Sequence, residues 1–209
     1  MDIRILGPIT AYADDTALSL GGQRERALLA LFALSPGETL STDRLIDELW
    51  GEDLPANPAN ALQALVSRLR RSLGAELIVT RPPGYVLDVE PDAVDAVRFR
   101  SLVDAGQHGA ALELWQGTPL ADFPFEEFAQ RERAALEELH LLATEGRIAA
   151  ELDRGSGAEL VPELEELIAA HPLRESQRAS QMLALYRAGR QADALRAYTA
   201  ARDVLGEEL

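Results

Sequence analysis

The stretch NALQALVSRLRRSLG, residues 60–74, gathers Arg68, Arg70 and Arg71 into one short helical pattern. Guanidinium groups keep their charge at any ordinary pH and carry a planar fork of donors, so they suit phosphate oxygens and the acceptor edge of guanine. Arg81 follows, and residues 67–81 hold four arginines against the single acid Glu76, a local +3. The whole chain of 209 residues carries a formal charge of −15. Residues 91–209 hold 12 arginines against 22 acids, and residues 1–90 hold 8 against 13, so the positive stretch is an island. An acidic total argues against nucleic acid, whose binding needs cations to displace counterions. The distribution matters more than the sum, and the island is where such chemistry would sit.

The other reactive residue types make no comparable group. His108, His140 and His171 lie far apart and none has a second histidine at metal-ligand spacing, so solvated or capping roles are expected, with no metal and no cofactor. Glu126 and Glu127 are adjacent, and neighbouring helix positions diverge, which rules out a paired acid and base. LGGQRER, residues 20–26, sets two glycines before a helical run and could hold an anion at a helix N-terminus, though it lacks the Walker pattern. A backbone phosphate of DNA is the better occupant. No nucleophile, base and oxyanion donors stand together, so an enzyme is not expected.

Composition bounds the setting. Apolar residues make up 47% and charged ones 26%, the balance of a chain that buries a real core. The absence of cysteine excludes disulfides and thiolate metal sites. MDIRILGPIT lacks the apolar core of a signal peptide, and the longest apolar run, ALLALFAL at 27–34, is far below the roughly 20 residues that span a bilayer. A cytoplasmic protein without a membrane partner is expected.

The elements that position the island follow from periodicity. IRILGPITAY and ALSL read as short strands, and residues 23–34 as a helix stopped by SPGE. A second helix starts at Ser41 or Thr42 and runs to Trp50 with Leu45, Ile46, Leu49 and Trp50 inward. GEDLPAN, residues 51–57, is a polar connector that displays Glu52, Asp53 and Leu54. Asn57 then caps a third helix with Pro58 at its first position and Gly74 at its end. On this helix Leu62, Leu65, Val66, Leu69 and Leu73 form one apolar stripe. Asn60, Gln63, Ala64, Ser67, Arg68 and Arg71 point the other way, and Arg70 sits on the flank. Hydrogen-bonding side chains around a small residue, with no acid among them, suit close approach to base edges in the major groove. The competing reading is a solvated face whose arginines pair with nearby acids. Against it stands ELIVTRPPGYVLDV, a hairpin with Arg81 at its tip, which completes the order of a winged helix. An adaptor that binds only protein is a further alternative, which the basic island weighs against.

Residues 92–209 contain almost no β-rich run and read as helical throughout, after a linker near 89–95. Gly155, Leu160, Leu164 and Leu167 are followed 34 residues later by Gly189, Ala194, Tyr198 and Ala201, the period of a tetratricopeptide repeat. GQHGAALELW, with Gly106, Ala111, Leu112 and Trp115, matches GRQADALRAY as an earlier copy. The expected fold is mainly α with two domains. Residues 1–90 form a winged helix-turn-helix with an N-terminal β-sheet and a C-terminal hairpin, and 92–209 an all-α tetratricopeptide-like domain.

VSRLRRSLG followed by IVTRPPGYVL resembles the recognition helix and wing of OmpR-type winged-helix DNA-binding domains, and with Leu49-Trp50 the resemblance covers residues 1–90. Residues 92–209 resemble the bacterial transcriptional activator domain through ALELWQGTPLADF, HPLRESQ and LYRAGRQADALRAY. The pair is similar to the Streptomyces antibiotic regulatory protein family of the AfsR/DnrI type. That resemblance implies a transcription activator that binds direct repeats in double-stranded DNA, recruits RNA polymerase holoenzyme and controls an antibiotic gene cluster, with self-association on the DNA. By position, Arg68 falls where such helices read a base, with Ser67 and Ala64 beside it. Arg70 falls at a phosphate position and Arg81 at the wing arginine of the minor groove. Glu52, Asp53 and Leu54 fall in the loop that touches polymerase. Pro82-Pro83 departs from the family's wing, which usually has a glycine there. No receiver domain is present, so control by phospho-aspartate within this chain is not expected. The family normally continues beyond VLGEEL, so a piece of a longer regulator is expected.

Overall fold

Short β-branched runs on either side of Gly7-Pro8 pair as antiparallel strands, β1 (Asp2–Arg4) with β2 (Thr10–Ala13), and β2 with β3 (Thr16–Ala17). Asp14 and Asp15 both take positive φ, 47° and 62°, in the two-residue turn that joins β2 to β3. The computed structural model describes residues 1–208. Helix α1 (Gln23–Leu34) buries every residue from Ala27 to Ala33. Helix α2 (Thr42–Trp50) follows the two-residue strand β4 (Leu40–Ser41) and is capped by Ser41, whose hydroxyl accepts from the Arg44 N–H at 3.2 Å. Helix α3 (Pro58–Leu73) starts as its sequence requires, with the Asn57 side chain accepting from the Asn60 N–H at 3.1 Å.

Strands β5 (Ile78–Arg81) and β6 (Gly84–Leu87) form the hairpin, and β4 extends it in the order β4-β6-β5. Gly84 permits this pairing, because a Cβ there would lie 1.8 Å from the Leu40 carbonyl oxygen. The three helices and the hairpin share a core that includes Leu28, Phe32, Leu45, Leu62, Leu69, Ile78 and Val86, all fully buried.

The segment expected as a linker is instead packed. Val94 pairs in parallel with Ile3, and the Asp95 carboxylate, 1% exposed, accepts from the Ile5 and Leu6 N–H groups at 2.8 and 3.0 Å. Burial pushes this carboxyl above the ordinary carboxylate range, against the opposite pull of the Ile5, Leu6 and Ala96 amides. Helices α4 (Asp95–Asp104) and α5 (His108–Leu112) follow.

Residues 113–126 depart from the expectation of helix throughout, since Gly117, Pro119 and Pro124 interrupt the run and Leu120 takes φ 54°. Their backbone partners lie elsewhere. Gln116, Leu120 and Ala121 donate to the carbonyls of Leu6, Ile5 and Gly7 at 2.8, 2.9 and 3.3 Å, and Asp122 accepts from the Ile9 N–H at 2.7 Å. The earliest repeat copy is therefore incomplete. Trp115 lies beyond α5 and packs, tilted, against Phe99 and His140, at ring separations of 5.5 and 4.2 Å. Burial lowers the His140 pKa.

Helix α6 (Glu127–Asp153) runs on from this segment. By contacts the chain divides into two compact units, one of residues 1–140 and one from Leu141 onward. In the second, α7 (Val161–Ala170), α8 (Glu175–Arg187) and α9 (Gln191–Glu208) stack as helical hairpins. Gly155 and Gly189, related by the repeat, both turn in the left-handed region at φ 101° and 74°. Ile148, Leu152, Leu164 and Leu185 form the core there, and Arg147 bridges Glu151 and Glu163 across two helices. No helix among the described residues is long and apolar enough to cross a membrane.

Candidate nucleic-acid interface

Helix α3 divides as its periodicity predicts. Leu62, Leu65, Val66, Leu69 and Leu73 are buried, while Asn60, Gln63, Ala64, Ser67, Arg68 and Arg71 are exposed along an element about 24 Å long. No acid occurs anywhere on this helix.

The arginines differ in what holds them. Arg68 leans toward α1, with its Nε 2.7 Å from Glu25 Oε1. Arg70 turns to the hairpin, where Nε donates to the Ile78 carbonyl at 2.7 Å and a terminal nitrogen donates to Thr80 Oγ1 at 3.0 Å. Its guanidinium also lies over the Tyr85 ring, 5.9 Å from the centroid. Arg71 and Arg81 are exposed and have no hydrogen-bond or ion-pair partner among the described residues.

The hairpin tip is anchored as well. Pro83 carbonyl oxygen accepts from the Thr42 N–H and from its hydroxyl, at 3.1 and 3.2 Å, at the start of α2. The two prolines form the loop itself, with the peptide between them cis, and Arg81 pairs with Gly84 across the last rung. Arg81 therefore projects from the end of a strand held by Arg70, beside a loop fixed by α2.

The connector after α2 is turned by Gly51 and Asp53, whose N–H groups donate to Asp47 and Trp50 at 2.7 and 2.9 Å. Glu52, Asp53 and Leu54 are all exposed, Leu54 by 55%. The glycine turn before α1 does not offer an empty anion site. A Cβ at Gly22 would lie 3.2 Å from Glu25 Oε2, so the protein's own carboxylate occupies that corner and would repel a phosphate. Among the described residues no group of three or more His, Asp or Glu side chains is placed to hold a metal ion.

The periodicity located α3 but not its tethers. Glu25, Thr42, Thr80 and Asp95 carry no local signal beyond Glu25 at the third position of a glycine-capped helix, a site that favours acids.

A three-helix core with a tethered hairpin, joined to helical hairpins, defines a winged-helix regulator with a repeat domain. Residues 16–87 match the family described as transcriptional regulatory protein, C terminal, and residues 94–209 match the bacterial transcriptional activator domain. Over 98% of its length the chain is 40% identical to the regulatory protein AfsR of Streptomyces coelicolor, of which it spans only 22%. It is 34% identical to the regulatory protein DnrI of Streptomyces peucetius, over all of this chain and 86% of that one. The structure of Mycobacterium tuberculosis EmbR in complex with a low-affinity phosphopeptide matches with a TM-score of 0.89 at 30% identity, over all of this chain and 60% of EmbR. The chain belongs to the Streptomyces antibiotic regulatory protein family, and these relatives are regulatory proteins.

Proposed function

We propose that this chain is a transcription activator whose α3 enters the major groove of double-stranded DNA while the β5–β6 hairpin lies against the adjacent minor groove. The observation that carries this reading is the acid-free outer face of α3, with Arg71 open in its last turn and Arg81 open at the hairpin tip. In this mode Arg68 reads a base, Asn60, Gln63, Ala64 and Ser67 line the approach, and Arg71 takes a phosphate. Arg70 fixes the angle of the hairpin and offers its remaining terminal nitrogen to the backbone. Arg81 enters the minor groove, where narrow AT-rich steps attract arginine.

Copies bind head to tail on direct repeats upstream of a promoter, and the exposed Glu52-Asp53-Leu54 loop contacts RNA polymerase. Membership of the Streptomyces antibiotic regulatory protein family supports an antibiotic gene cluster as the target.

An electrophoretic shift at two salt concentrations tests the DNA reading. A duplex carrying two tandem copies of a site enriched from random DNA should bind two molecules, more tightly than two isolated sites predict. Log affinity should fall linearly with log salt. Equal, weak binding to every duplex would remove the reading.

A further inference from the structure

Glu25 is an acid placed against the basic helix. It stands in the first turn of α1 with its side chain 16% exposed, and its Oε1 lies 2.7 Å from Arg68 Nε. The turn before it is shaped around this carboxylate. Gly21 takes φ 77°, and a Cβ there would sit 3.3 Å from Glu25 Cγ, just as one at Gly22 would press on Oε2. Side chains at these two positions would crowd Glu25 and make it give by a few tenths of an ångström, and the N-terminal end of the α1 dipole favours its negative charge. The shallow depression beside the pair is lined by Ser19, Leu20, Gly21, Arg71 and Ser72, so Glu25 is its single acid.

Arg68 itself is half exposed. Glu25 pairs with Arg68 at its Nε edge, and no hydrogen bond engages the two terminal nitrogens among the described residues; a fork presented by that terminal edge matches O6 and N7 of guanine. A free arginine would sample many rotamers and meet phosphates as readily as bases.

We propose that Glu25 is a specificity-determining positioning residue. It holds Arg68 in the base-reading orientation, and its charge disfavours the phosphate contacts that Arg68 would otherwise make on any sequence. This rests on Arg68 as the base reader, and the test separates the two ideas.

The full chain is compared with Glu25→Ala, Glu25→Gln, Arg68→Ala and the Glu25→Ala/Arg68→Ala double variant. For each, affinity is measured for a duplex enriched by the wild type and for a scrambled duplex at fixed salt, with thermal melting to verify folding. Arg68→Ala should lower the ratio of the two affinities. Glu25→Ala should lower it about tenfold, within the range a bidentate base contact carries, while binding to scrambled DNA holds or tightens. Glu25→Gln, which keeps the shape and loses the charge, should fall between. In the Arg68→Ala background, Glu25→Ala should change the ratio no further. A lowered ratio in Arg68→Ala with an unchanged one in Glu25→Ala would overturn the positioning role alone. Equal weakening on both duplexes by Glu25→Ala would make the pair merely structural. An unchanged ratio in Arg68→Ala would remove the base reader itself.

Discussion

Arg70 leaves the recognition helix sideways and joins it to the wing through the Ile78 carbonyl and the Thr80 hydroxyl. Charge-assisted bonds of this kind are worth about 1.5–3 kcal/mol when both partners are well placed, enough to hold a four-residue strand at a fixed angle. Arg70→Ala should therefore act on DNA partly through Arg81. In a double-variant cycle with Arg81→Ala, the two losses of affinity should sum to more than the loss in the double variant. Strict additivity would make Arg70 an independent phosphate contact. The contrast with the leucine stripe of α3 explains what the sequence discloses at this scale. Leu62, Leu65, Val66, Leu69 and Leu73 are legible because helical period is local. The partners of Arg70 lie 8 and 10 residues on, across a turn whose geometry no periodicity encodes.

Among the elements, α3 is the most legible and the segment of residues 113–126 the least. Asn57, Pro58 and Gly74 mark the ends of α3 by capping chemistry that acts within a few residues. Within residues 113–126, Gln116, Leu120 and Ala121 donate to Leu6, Ile5 and Gly7, more than a hundred positions earlier, and such pairing leaves no pattern in the segment itself. The connector of residues 51–57 stands between these cases. Its turn is set by Gly51, yet the 55% exposure of Leu54 beside two acids has no role in the core. Replacing Glu52, Asp53 and Leu54 together by Ser should leave DNA affinity unchanged or slightly higher as negative charge leaves. Transcription by purified polymerase at saturating activator should fall several-fold. Full transcription would move the polymerase contact elsewhere in the chain.

For the molecule, the two tryptophans report on the part of the chain that folds as one compact unit. Trp50 ends α2 within the winged helix, and Trp115 packs against Phe99 and His140 beyond the segment expected as a linker. Both lie in residues 1–140, so in variants keeping one tryptophan each, whose own urea midpoints differ by what the lost indole costs, a further substitution in that unit should shift both midpoints alike. Asp95→Ala would leave the buried Ile5 and Leu6 N–H groups without acceptors, at about 1–3 kcal/mol for each, and should lower both midpoints together. A shift in one midpoint alone would restore two independent domains meeting near residue 90. The shared hydrogen bonding of Ile5–Gly7 also bears on how such regulators can be recombined. A winged helix cut after residue 90 and grafted onto a foreign effector would carry bare amides and carbonyls just after its first strand, so hybrid regulators should exchange parts only beyond residue 140.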